Sequence, residues 1–137
     1  MKTAKNIEPE DYVTRAVEID GWIQDVADQA SGEFTAAELK ACLESGSYRG
    51  FFFIDDDVTL GIFICTKTDY AYGGCLSVVG AAGATNNGWA ELTDIFNYIA
   101  KVAGCVRFEI RGRRGFLRAL KPHGWDETYT VIGKDVF

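Results

Sequence analysis

The chain has 137 residues, 47% of them hydrophobic and 25% charged, with a formal net charge of −6, which is the composition of one ordinary globular domain able to bury a single sizeable core. Its apolar runs have strand length, far below the roughly 20 residues of a membrane span, and Met1-Lys2-Thr3-Ala4-Lys5 leads into Glu8-Pro9-Glu10-Asp11 rather than into the apolar core of a secretion signal. Four dispersed cysteines, a single histidine and no C-x-x-C pair argue against a zinc site and for reduced, buried thiols in a cytoplasmic protein.

In residues 9–30, Val13, Val17, Ile23, Val26, Ala27 and Ala30 recur near the helical period, and Gly21 predicts an interruption, giving one helix or two. Ser31-Gly32 ends this stretch. Thr35-Ala36-Ala37-Glu38 then reads as a capping box that opens a second helix, stopped by Gly46. From Tyr48 the pattern changes to the β-rich runs 51–54 and 58–66, separated by Asp55-Asp56-Asp57, which predicts a hairpin. Three aspartates in a row suit a turn better than a calcium loop, which needs a longer series of ligands and a glycine. Residues 67–74 read as a polar connection bearing Tyr70 and Tyr72, and 75–80 as another strand.

The next segment, Gly80-Ala81-Ala82-Gly83-Ala84-Thr85-Asn86-Asn87-Gly88, leads into an amphipathic helix over 89–102 whose face carries Trp89, Leu92, Ile95, Phe96, Ile99 and Val102. Gly104 ends the helix, and the strand 105–110 follows. A helical connection makes this strand parallel to 75–80, with a right-handed crossover. A short helix over 114–120 stops before Pro122, and 128–132 reads as a last strand.

A strand, a small-residue turn and a helix form a standard cradle for an anion, because the first helical amides are unpaired and face the ligand. Gly80 to Gly88 has that composition, although it is neither a dinucleotide fingerprint nor a P-loop; a long connection that needs room is the other reading. Downstream, Arg107, Arg111, Arg113, Arg114, Arg118 and Lys121 face only Glu109, so residues 107–121 carry +5 and the remainder −11. That asymmetry disfavours general nucleic-acid binding. Arg114 and Arg118, four apart, share a helix face and can grip a phosphate. The alternatives are that Arg111, Arg113, Arg114 and Arg118 dock an acidic protein surface, or that they balance the acidic remainder.

The order of these elements, with Gly124-Trp125 before the last strand, resembles the GNAT superfamily of N-acyltransferases, most clearly over residues 75–136. The resemblance implies a mixed α/β fold in which a mostly antiparallel central sheet, containing one parallel pair, is flanked by helices; its first strand would come from residues 3–7. It also implies acetyl-CoA as cofactor and transfer of its acetyl group to a small-molecule or peptide amine. The cofactor's pyrophosphate would lie on the amides of Gly80, Ala81, Gly83, Ala84, Thr85, Asn86 and Gly88, beside Arg114 and Arg118. The family's turn reads Gln/Arg-x-x-Gly-x-Gly/Ala. Here Gly80, Gly83 and Thr85 fill its three fixed places in one register, and Gly83, Asn86 and Gly88 in another, with no Gln or Arg in either.

The family's acid is a tyrosine four residues before the Gly-aromatic pair, and here that place holds Leu120. Candidates to remove a proton from the amine are Glu109, for which an ion pair with Arg107 or Arg111 is the structural alternative, and Tyr72, with Asp69 and Tyr70 near it. His123 lies in a turn. The segment from Arg111 to Leu120 also looks similar to small GNAT-like proteins of bacteriophages, including virion components. This implies a second reading, a binding or structural protein without transfer chemistry; an unrelated α+β ligand-binding domain is a third. Trp22, Tyr70, Tyr72 and Trp89 are candidates for a homodimer contact.

Overall fold

The structure is a computed structural model that describes residues 2–30, 32–83, 93–110, 120–127 and 132–136. Its centre is a five-stranded sheet in the order β1-β2-β3-β4-β5, formed by β1 (Lys2–Asn6), β2 (Arg49–Asp55), β3 (Val58–Tyr70), β4 (Gly73–Gly83) and β5 (Cys105–Ile110). All neighbours run antiparallel except β4 and β5, which are parallel. The initial strand expected within residues 3–7 is therefore present, pairing its Lys2 with Asp55 and its Asn6 with Phe51.

Helices cover both faces. On one side α1 (Asp11–Thr14), α2 (Ala16–Gln29) and α3 (Ala36–Ser45) bury Ile19, Ile23, Val26, Leu39 and Leu43 against Phe52, Ile62, Ile64 and Ala82. On the other, α4 (Thr93–Val102) places Phe96 and Ala100 on Phe51, Phe53, Phe63, Cys65, Leu76 and Val78. Phe63 stacks on Phe51 at 5.1 Å and meets Phe96 edge-on at 5.1 Å, both favourable aromatic geometries.

Local chemistry explains most boundaries. The Thr35 hydroxyl accepts from the Glu38 amide at 3.1 Å, and Gly46 closes α3 in the left-handed region at φ +82. Asp56 and Asp57, at φ +46 and +70, make the two-residue turn between β2 and β3; aspartate is among the few side chains that tolerate this region.

Four expectations change. The first helical stretch breaks at Arg15, not at Gly21. The Arg15 guanidinium lies 4.6 Å from the centre of the Phe52 ring and donates to Thr59 at 3.1 Å, whereas Gly21 faces open space and the helix passes through it. The buried stripe is Ile19, Ile23, Val26 and Ala27, leaving Val13 and Val17 exposed. Residues 67–70, read as connection, continue β3, and only Ala71 and Tyr72 separate it from β4. Lys67 and Asp69 are polar because this strand end is solvated, not because pairing has stopped.

Finally, β4 does not end at Gly80. It runs to Gly83, with Gly80, Ala81, Ala82 and Gly83 paired to Ile64, Phe63, Ile62 and Gly61. Downstream, the described part of the expected 114–120 helix is Leu120, and a 3₁₀ turn, Lys121–His123, carries the chain through Pro122 to Gly124. Residues 84–92, 111–119 and 128–131 lie outside the described residues, and with them parts of the small-residue turn, the arginine segment and the expected last strand.

Candidate active site

The β4–β5 pairing sets the geometry. Its register runs from Gly74–Cys105 to Ser77–Glu109 and Val78–Ile110, and on its other edge β4 slips by one residue against β3 between Val78 and Gly80, so that Val79 is a bulge. Beyond Val78, β4 continues for five residues with β3 as its only strand partner among the described residues. The described parts of the two strands thus form a fork, in which the backbone edge of Val79–Gly83 has no β5 partner among the described residues. Bulges recur beside active sites.

The glycines of this edge have structural reasons of their own. A Cβ on Gly80 would stand 2.5 Å from Val26 Cγ1, so α2 rests directly on the β4 backbone there. A Cβ on Gly83, at φ +102, would stand 2.4 Å from the Leu60 carbonyl oxygen, and one on Gly61 would stand 2.0 Å from that of Ala82. These are crossing points of backbones. Of the seven residues expected to hold a pyrophosphate in the turn, Gly80, Ala81 and Gly83 are strand residues, while Ala84, Thr85, Asn86 and Gly88 fall outside the described residues. Arg111, Arg113, Arg114 and Arg118 fall outside them as well.

Glu109 is brought to the fork. It is 9% exposed, and its Oε1 accepts from the Ser77 hydroxyl at 2.8 Å, one step before the last β4–β5 pair. Alternation puts both side chains on the face opposite Leu76 and Val78, which pack toward α4. The ion pair with Arg107 considered from sequence does not form. Arg107 turns to the Tyr72 ring, its guanidinium carbon 4.8 Å from the ring centre.

Tyr72 sits elsewhere. It occupies the turn before β4, stacked on Tyr70 at 5.4 Å, six residues and therefore about 20 Å of strand from Val78. Desolvation and a hydrogen bond with Cys75 raise its phenol above the ordinary 10.0, against the pull of Arg107, so it stays protonated near neutrality and is a poor base. Asp69 is an exposed partner of Lys67 at 3.8 Å. Leu120, in the place where a tyrosine acid was sought, is buried.

Around the outer edge of β5, Thr93, Asn97, Arg107, Phe108, Trp125 and Asp126 line a cavity of about 370 Å³. Trp125 Nε1 donates to Thr93 Oγ1 at 3.1 Å and ties the chain after Gly124 to the first described turn of α4. Among the described residues no group of His, Cys, Asp and Glu is arranged to hold a metal, and no helix is long and apolar enough to cross a membrane.

Sequence reasoning missed Ser77. A lone serine in a β-rich run gives no periodic signal, and its partner is 32 residues away.

No protein-family model matches the chain, and no curated protein matches it. Solved structures do. A GNAT family acetyltransferase of Staphylococcus aureus superposes with a TM-score of 0.63 at 11% identity, over 98% of each chain. A predicted acetyltransferase of Clostridium acetobutylicum, solved with acetyl-CoA, gives 0.62 at 11% identity over 99% of this chain and 97% of its own. An aminoglycoside acetyltransferase from an uncultured soil metagenomic sample, solved with sisomicin, gives 0.62 at 12% over 97% and 95%. At such identities the likeness is one of fold: the chain has the GNAT-like fold, with a mixed sheet, its parallel β4–β5 pair and helices on both faces.

Proposed function

We propose that the protein is an acetyl-CoA-dependent N-acyltransferase that moves an acetyl group onto an amine. The observation that supports this reading best is the fork, a bulged strand edge beside a buried carboxylate. An extended arm carrying amides, as the pantetheine of acetyl-CoA does, can pair with the Val79–Gly83 edge as an added strand would. The spaces beside Gly80 and Gly83 are filled by Val26 and Leu60. Phosphate binding falls to the backbone amides of Gly80, Ala81, Gly83, Ala84, Thr85, Asn86 and Gly88, with Arg114 and Arg118.

Acetyl-CoA, when bound, supplies the acetyl group as a thioester. Glu109 takes the proton that an incoming ammonium must lose, at Oε2, since Oε1 is occupied by Ser77. The freed nitrogen lone pair forms the C–N bond as the C–S bond breaks. With Leu120 buried at the acid's place, the sulfur takes its proton from water. The balance of −11 outside residues 107–121 favours a cationic amine, a class to which the sisomicin bound by the soil enzyme belongs.

Titration with acetyl-CoA tests the reading. Binding raises apparent stability, and Glu109→Gln leaves that stabilisation in place while removing turnover. No heat and no thermal shift at millimolar acetyl-CoA would end it. The buried Leu120 favours a second reading, a GNAT-like binding or virion protein without transfer. Its signature is acetyl-CoA binding with no acetylation of any amine.

A further inference from the structure

Ser77 and Glu109 are the two buried polar side chains among the described residues, each 9% exposed, and they bond to each other. Burying a hydroxyl and a carboxyl costs free energy that an apolar pair of the same shape would not cost. Cys75, buried two residues before Ser77 on the same face of β4, shows that this side of the sheet accepts an apolar core residue. The cost therefore calls for a use.

We infer that Ser77 is a positioning residue for Glu109, fixing Oε1 so that Oε2 faces the β4–β5 fork; the inference rests on the acetyl-transfer reading. Three features support it. The register sets Ser77 beside Glu109 one step before Val78–Ile110, the last β4–β5 pair among the described residues, so the carboxylate stands at the root of the fork. The donor is a hydroxyl at 2.8 Å, which orients a carboxylate without neutralising it; a guanidinium there would hold the negative charge and oppose proton uptake. Among the described residues the cation on the same face of β5 is Arg107, and it is engaged by the Tyr72 ring at 4.8 Å. Among the described residues Oε2 has no hydrogen-bond partner, and it is the oxygen left to receive a proton.

The test is a double-mutant cycle on the full chain: wild type, Ser77→Ala, Glu109→Gln and the double variant. Thiol release from acetyl-CoA is followed with spermidine and with sisomicin as acceptors. Ser77→Ala should lower kcat about tenfold and leave KM for acetyl-CoA within about twofold. Glu109→Gln should lower kcat by about a hundredfold or more, and adding Ser77→Ala to it should lower kcat no further. Ser77→Thr, which keeps the hydroxyl, should restore most of the rate. If Ser77→Ala does not fold, Ser77→Cys, with the same shape and a weaker donor, takes its place.

An equal loss in both backgrounds would show that Ser77 acts through packing and would overturn the inference, as would an unchanged kcat in Ser77→Ala. A wild type that binds acetyl-CoA and acetylates neither amine overturns both the inference and the transfer reading. Failure to bind acetyl-CoA overturns that reading at its base.

Discussion

The two halves of β4 differ in composition and in pairing. From Gly74 to Val78 the strand is paired on both edges, to β3 and to β5, and is buried. From Val79 to Gly83 it keeps β3 and has no partner strand on the other edge among the described residues. Val79, bulged against β3, lies at the boundary between the two halves, and Ile110 is the last described residue of β5. A strand can thus be buried core at one end and a small-residue edge of glycine and alanine at the other.

The sharpest way to break this comparison is at the backbone crossing. Gly83→Ala adds a Cβ 2.4 Å from a carbonyl oxygen at a φ of +102, so overpacking and backbone strain act together. A loss of about 3 kcal/mol or more is expected, measured by chemical denaturation. Gly61→Ala, 2.0 Å from the Ala82 oxygen, should be at least as damaging. A soluble Gly83→Ala of wild-type stability would mean that the two strands do not cross so closely. For the same reason, substitution of Gly83 cannot report on phosphate binding: loss of fold would mimic loss of ligand.

Gly80→Ala should cost less, about 1–3 kcal/mol, because its obstacle is a side chain, Val26 Cγ1 at 2.5 Å. Val26→Ala alone opens a cavity under α2 and is itself destabilising. Combined, the two should be more stable than the sum of their separate losses predicts, since the new methyl occupies the vacated space. Strict additivity in denaturant midpoints would show that α2 does not sit on this strand. The contrast with Gly83 is the point: one glycine makes room for a helix that can be trimmed, the other for a backbone that cannot.

These distinctions show what could be read from the chain and what could not. The hairpin at Asp55–Asp57, the Thr35 cap and the Ile95, Phe96 and Ile99 part of the apolar face of α4 were legible, because each depends on neighbours within a turn or two, whereas Val102, expected on that face, is exposed. The strand β1 was hard to see, since an edge of Lys2, Thr3 and Lys5 has no apolar face, and its register depends on Phe51–Asp55 far along the chain. Gly80 to Gly83 read as a turn because small residues mark both loops and close approaches, and only the partners Val26 and Leu60 separate the two cases. Glu109 was found as a candidate by residue type. Its separation from Arg107 depended on Tyr72, 35 positions earlier in the chain, which no local pattern contains.

The smallest expected effect tests whether the closed half of β4 stays closed. Cys65 pairs with Val78, the last residue before the bulge, and burial pushes its thiol from 9.0 up to about 12. A thiol reacts as thiolate, so Cys65 should resist alkylation in the native protein at pH 8 while Cys42, half-buried on α3, reacts first. The sign of the linkage follows. The folded state holds the Cys65 proton to higher pH than the unfolded chain does, so its contribution to stability is intact below pH 9 and is lost as pH rises toward about 12. The slope from this group cannot exceed about 1.4 kcal/mol per pH unit, and near neutrality it vanishes. Peptide mapping after a short alkylation pulse reads the result residue by residue. Modification of Cys65 as fast as Cys42 would mean that the β3–β4–β5 junction opens readily, and the fork would then be a feature of motion along the whole pair and not of a fixed bulge at Val79.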